Sequence, residues 1–187
     1  MSRALFSVGR LTSVPVRSAT ASSGRRLVGA PTLAALERLD LLDAVGVVEI
    51  DPELSDTAAN QEAYDLPPET LANCVVVAGK REGVEKVAAC MVLASTRADV
   101  NNVVRKRLDV RKATFLARDD AVDRTGMEYG GITPIGLPDD WRILVDADVA
   151  AAPVLVIGSG VRRSKLLLPG SVLAALPSAE TVESLGR

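Results

Sequence analysis

Eight consecutive residues, Tyr129-Gly130-Gly131-Ile132-Thr133-Pro134-Ile135-Gly136, have the types needed to handle negative charge without an ionisable side chain. Paired glycines let a backbone turn sharply and let another molecule approach it closely. Pro134 fixes its own φ and holds Thr133 extended. The amides of Gly130, Gly131 and Ile132 are then expected to converge on one point, able to bind an anion or polarise a carbonyl. On these residues alone an ordinary tight loop between strands is the better reading, because short Gly/Pro motifs match by chance.

Other side chains could join such a site. Gly158-Ser159-Gly160 is a second glycine segment, followed by Arg162, Arg163 and Lys165. Those cations could grip a phosphate or simply be solvated. Asn73 heads an apolar run, as either a pocket polar group or a satisfied strand-end amide. Met91 could line a small pocket, with core packing the default. Asp146 reads as a cap for the segment that follows it. Arg105-Lys106-Arg107 reads as an exposed helix end, where cations suit the macrodipole.

Much chemistry is excluded. The 187 residues contain no histidine, which removes Ser-His-Asp and Cys-His catalysis and histidine metal sites. Cys74 and Cys90 have neither metal nor CxxC spacing, and read as buried thiols in a reducing cytoplasm. The acids are scattered, so neither a metal nor a cofactor is expected. No stretch approaches the roughly 20 apolar residues of a membrane helix. Net charge is −2, which does not argue for nucleic acid, but its distribution is uneven. Residues 27–70 are acidic apart from Arg38, while residues 80–112 are mostly basic, which allows a local basic face.

The elements that must hold these groups follow from periodicity. Residues 31–45 read as a helix with Pro31 in its first turn, and 46–50 as a short strand. A short helix is expected near 55–63. Residues 73–78 and 84–94 form a hairpin across a turn at 79–83. Asp99 caps a helix over 100–108, and Gly126 closes another over 119–125. Strands follow at 112–117, 142–145, 153–157 and 165–168, with a helix at 170–176. Hydrophobic residues make up 48% of the chain and aromatics 3%, so the core must be aliphatic. This is a mixed α/β domain without Rossmann alternation or a P-loop. Residues 1–26 are rich in Ser, Arg and Thr and contain no acid. They read as a flexible extension, leaving 27–187 as the domain.

The signals from Asn73 onward resemble the YbaK/ProX family, the aminoacyl-tRNA editing domain also inserted in bacterial prolyl-tRNA synthetases. The hairpin, Asp99-Val100-Asn101-Asn102-Val103-Val104, Asp120 to Gly126 and the loop Gly130 to Gly136 carry the resemblance. So do Leu144-Val145-Asp146 and Val156 to Gly160. The resemblance implies a compact mixed-sheet fold and a trans-acting deacylase of bacterial type. It would hydrolyse the ester between a mischarged small amino acid and the tRNA 3′ end, with the terminal ribose hydroxyl helping to activate water. The implied catalytic residues are Gly130, Gly131, Thr133 and Pro134. The implied substrate contacts are Asn73, Met91, Gly158, Ser159, Gly160, Arg162 and Arg163, and an aminoacyl-tRNA synthetase is a further implied partner. Asn73 stands where the family has a lysine. That substitution leaves a non-catalytic module binding aminoacyl-tRNA ends as the alternative.

Overall fold

The computed structural model describes residues 4–22 and 27–187. Two sheets and their covering helices share a continuous aliphatic interior. A small hairpin comes first, β1 (Ser7–Val8) and β2 (Leu11–Thr12), followed by β3 (Val14–Pro15) and α1 (Val16–Ser22). Then come α2 (Ala30–Arg38), β4 (Gly46–Glu49) and α3 (Thr57–Tyr64). The long hairpin is β5 (Ala72–Arg81) and β6 (Val84–Leu93). After it lie α4 (Arg105–Leu108), β7 (Ala113–Phe115), α5 (Arg118–Thr125), β8 (Arg142–Asp146) and α6 (Ala147–Ala151). The chain closes with β9 (Leu155–Gly158), β10 (Ser164–Leu168), α7 (Gly170–Ala174) and β11 (Ala179–Val182).

One sheet has the order β11-β8-β6-β5-β7 and the other β3-β4-β10-β9. The first is mixed: β8 runs parallel to both β6 and β11, while β5 is antiparallel to β6 and β7. The second is antiparallel throughout. Alternation along β6 explains the layering. Ala88, Cys90 and Val92 pack under Val100, Val104 and Leu108, whereas Met91 faces the space between the sheets. There it meets Leu36, Val145, Leu155, Ile157, Leu166 and Leu168. Each such aliphatic side chain contributes about 1.5–3 kcal/mol of transfer free energy when fully buried.

Local signals largely place the elements. Asp99 accepts from the Asn102 amide at 3.0 Å, and Gly126 ends α5 with φ 65°. The turn between β5 and β6 is tighter than expected. Only Glu82 (φ 53°) and Gly83 (φ 82°) lie outside the ladder, the left-handed pair favoured by a two-residue hairpin. The segment after Asp99 begins as a π-helical turn, Val100–Val104, before becoming α4. The helix expected over 31–45 stops at Arg38, because Asp40 takes a left-handed φ of 55° and the chain turns into β4.

The largest correction lies at the N-terminus. Composition sets residues 1–26 outside the fold, yet the described part packs into it. β3 pairs with β4, and the Arg10 amide donates to Tyr64 O at 2.8 Å. Val8 and Leu11 pack with Ile50, Leu66 and Leu167, while Val16 and Ala19 enter the inter-sheet core. Arg10, Thr12, Arg17 and Thr20 point outward, the buried Ser13 donates its hydroxyl to Phe6 O at 3.2 Å, and the few apolar residues suffice to seat the stretch. Residues 1–3 and 23–26 lie outside the described residues.

Candidate functional site

A cavity of about 380 Å³ opens where the start of β5 approaches β9, beside the segment leading into α3 and the glycine loop. Leu71 forms a parallel bridge with Val156, which fixes the junction between the sheets. Caps shape the α3 side. Asp51 accepts from the Glu53 amide at 3.0 Å, and Asp56 from the Ala58 amide at 3.1 Å. These turns bring Ser55, Thr57 and Asn60 to the cavity wall. Thr57 Oγ1 donates to Asn73 Oδ1 at 2.7 Å, leaving the Asn73 amide hydrogens for the cavity. Asn60 Nδ2 donates to Leu54 O at 3.1 Å, but Asn60 Oδ1 and Ser55 Oγ are buried with no partner among the described residues.

The glycine loop is fastened to the opposite wall. The Gly131 amide donates to Glu128 O at 2.9 Å, and the Gly160 amide donates to Gly131 O at 2.7 Å. A Cβ on Gly131 would lie 2.7 Å from the Val161 backbone, and one on Gly158 would lie 2.6 Å from Ile132 O. The Gly131 amide is therefore spent within the loop, which corrects the expectation of three converging donors. Gly130 and Ile132 line the cavity, and their amides take no bond among the described residues. Gly130 has φ 85°, a left-handed conformation suited to glycine. Arg162 clamps the loop from behind, donating to Tyr129 O at 3.3 Å and to Pro52 O at 3.0 Å.

Lys165 reaches the cavity from β10, where its backbone lies opposite Gly158. Its Nζ donates to Ser55 O at 2.8 Å, and the residue is only 7% exposed. Burial lowers its pKa from 10.5 to about 8, with Asp56 opposing the shift and Arg162 adding to it. Cys74 also lines the cavity, but burial pushes its thiol well up, so it is no thiolate at neutral pH. At the mouth Phe115 is 62% exposed and Tyr129 49%, with the Arg118 guanidinium 4.4 Å from the Tyr129 ring centroid. Among the described residues no cluster of three or more His, Cys, Asp or Glu side chains could hold a metal.

Of the residues singled out from sequence, Asn73, Gly130 and Gly158 line the cavity. Gly131, Gly160 and Arg162 support it from behind. Ser159 is buried, its one hydroxyl proton within reach of Val161 O at 3.1 Å and Ser164 O at 3.0 Å, so it folds the turn rather than reaching the cavity. Met91 is fully buried in the inter-sheet core, which removes it as a pocket residue. Thr133 and Pro134 are buried away from the cavity, and Thr133 Oγ1 has no partner among the described residues. Arg163 is half-buried and does not line it. Sequence reasoning missed Ser55, Thr57, Asn60, Phe115 and Arg118 as site residues, and read Lys165 as a phosphate contact or a solvated cation and not as a buried one. One signal was available. Lys165 shares a strand face with Leu167 inside Lys165-Leu166-Leu167-Leu168, where a solvated cation has no place.

The family model of the aminoacyl-tRNA editing domain matches residues 51–176, more than half of the chain and all of the cavity wall. The chain belongs to this family. Solved structures show the same fold at low identity. One is a protein provisionally described as a trans-editing enzyme for prolyl tRNA synthetase. It is 18% identical, with 86% of this chain and 98% of that one covered and a TM-score of 0.71. The hypothetical protein APE2540 is 14% identical, with 84% and 99% covered and a TM-score of 0.73. A structure from computational grafting of epitope backbones onto scaffold proteins is 18% identical, with 83% and 95% covered and a TM-score of 0.70. No curated protein matches this editing domain by sequence. Among its described residues no helix is long and apolar enough to cross a membrane.

Proposed function

We propose that this editing domain is an aminoacyl-tRNA deacylase acting in trans, which hydrolyses the ester of a mischarged small amino acid on the tRNA 3′ end. The observation that carries the reading is the cavity itself. It has the size of a small-molecule site and sits inside the family's matched region. Its wall holds unspent backbone amides at Gly130 and Ile132 next to the polar group of Asn73. Amides fixed on a loop stabilise the oxyanion that forms when water attacks a carbonyl, because they need not reorient during the reaction.

With no histidine in the chain and Cys74 un-ionised, the cavity offers neither an imidazole base nor a thiolate nucleophile. This agrees with a scheme in which the substrate's own ribose hydroxyl helps to activate water. Phe115 and Tyr129 at the mouth offer flat apolar faces to the terminal base, with Arg118 beside them for phosphate or base. Stacking on such faces is tolerant of sequence, as befits an end shared by all tRNAs.

The test is a deacylation panel over tRNAs mischarged with small amino acids. Turnover on at least one substrate, dependent on tRNA, is the expected result. Tight binding without turnover across the panel would replace the enzyme with an end-binding module. Hydrolysis of small esters regardless of tRNA would point to another esterase.

A further inference from the structure

The cavity wall holds a lysine where an apolar residue would complete the core. Taking an ammonium out of water is costly unless it is paired and hydrogen-bonded, and Lys165 Nζ has one close acceptor, Ser55 O at 2.8 Å. An ammonium carries three N–H donors. Ser55 also leads to the loop: a Cβ placed on Gly130 would lie 3.5 Å from Ser55 Oγ and 3.0 Å from Arg162 Nη1. Ser55 thus meets both the lysine head and the Gly130 end of the glycine loop, and all three line one cavity. Two further buried polar atoms at this wall, Ser55 Oγ and Asn60 Oδ1, have no partner among the described residues. A wall with a cation and orphaned polar atoms is built for a polar occupant.

We infer that Lys165 is a catalytic residue of the deacylation, its ammonium donating to the carbonyl oxygen of the ester alongside the Gly130 and Ile132 amides. The inference rests on the deacylase reading above. Water adds to the carbonyl carbon, and the carbonyl π electrons move to the oxygen, where Lys165 and the amides hold the charge. Collapse of this intermediate breaks the bond between the acyl carbon and the ribose oxygen. That oxygen leaves with one proton from the water, and the other goes to solvent as the amino acid departs as carboxylate. Lys165 keeps its proton throughout.

The groups around the ammonium set when it is charged. Asp56 at the α3 N-terminus favours the charge and Arg162 opposes it. β9 presents Gly158, β5 the neutral Asn73 and un-ionised Cys74, and β4 presents Val48 opposite and the exposed Glu49 beyond it. Arg118 and Tyr129 stand at the mouth. Burial dominates, so the proton is lost near pH 8 and not near 10.5.

The experiment measures single-turnover deacylation from about pH 6 to 9 for the wild type, Lys165→Met and Lys165→Arg, with thermal melting as the folding control. Binding of a non-hydrolysable amide-linked aminoacyl-adenosine is measured in parallel. Lys165→Met is expected to fall about 100- to 1,000-fold in rate, the usual effect of removing one oxyanion donor. The wild-type rate, corrected for the uncatalysed reaction, should decline above about pH 8. Lys165→Arg should regain part of the rate and lose that decline, because a guanidinium does not titrate there. A Lys165→Met rate within threefold of wild type, or a wild-type rate that climbs through pH 8 as for a neutral amine base, overturns the inference and leaves the deacylase reading intact. If the wild type binds the amide but turns nothing over, the deacylase reading fails. The lysine contact then stands only if Lys165→Met weakens binding about tenfold or more. Absence of both turnover and binding overturns both.

Discussion

The glycine loop and the wall formed by Ser55, Asn60 and Lys165 face the same cavity but are built on opposite rules. The loop is fastened through its backbone, with both the amide and the carbonyl of Gly131 bonded, and its glycines let backbones touch. Gly131 packs on Val161, and Gly158 makes room for the carbonyls of Gly131 and Ile132. In the wall, side chains are buried with hydrogen-bonding capacity unspent: Ser55 Oγ, Asn60 Oδ1 and two of the three Lys165 donors. A satisfied region supplies shape. An unsatisfied one carries a free-energy cost that a ligand can relieve. The groups facing the cavity are thus divided between the conspicuous motif, at Gly130 and Ile132, and a wall that the motif does not reveal.

The contrast can be broken most forcefully at its rigid side. Gly158→Ala should lose at least about 3 kcal/mol of stability, because immobile backbone carbonyls occupy the space its Cβ needs. Gly131→Ala should follow it for the same reason. Urea denaturation reads this directly, and a stable but inactive Gly131→Ala would instead restore that residue to the substrate surface.

On the unsatisfied side the sign reverses. Lys165→Met should stabilise the protein at pH 7 by about 1–3 kcal/mol, since a shift from 10.5 to about 8 corresponds to a few kcal/mol of disfavoured charge. Between these pH values the unfolded chain holds the extra proton. Wild-type stability should therefore rise from about pH 8 toward 10.5, closing the gap to the variant. Denaturation at pH 7 and near pH 10 tests this, and a variant less stable than wild type at pH 7 contradicts it.

Gly130→Ala sharpens the comparison within the loop. The nearest atoms to its Cβ would be in side chains, Arg162 Nη1 at 3.0 Å and Ser55 Oγ at 3.5 Å, so the cost should be about 1–2 kcal/mol of left-handed strain. Deacylation should drop by more than that stability loss accounts for. Equal losses in kinetics and denaturation would reduce Gly130 to a structural glycine. The mildest change is Phe115→Ala, expected to alter stability by no more than about 0.5 kcal/mol, since the ring is largely exposed. It should weaken binding of the terminal adenosine about fivefold or more if the ring stacks on the base. Unchanged affinity for an aminoacyl-adenosine analogue would remove Phe115 from recognition.

How far the sequence foretold this follows from the range of the interactions involved. Asp99 and Gly126 cap their helices through contacts two to four residues away, so their roles could be read directly. The long apolar runs of β5 and β6 were equally plain. Strands of two residues leave no periodicity, so the pairing of Val14 with Val47 was hidden. Within the site, the glycine loop was visible, but which amides it spends depends on residues 128 and 160. The strand pattern hints that Lys165 is buried, but its acceptor Ser55 lies 110 residues away in sequence, and no local pattern records that meeting.

Pro15 gives the N-terminal arm a further consequence. The four-stranded sheet ends on β3, whose pairing covers the outer side of β4 at Gly46 and Val47. A strand that ends a sheet offers unpaired amides to any passing chain, and a proline there has none to offer. The arm thus works as a stopper against strand addition. With it detached, Val47 and its neighbours would present a free hydrogen-bonding edge, and molecules of this protein could join through it.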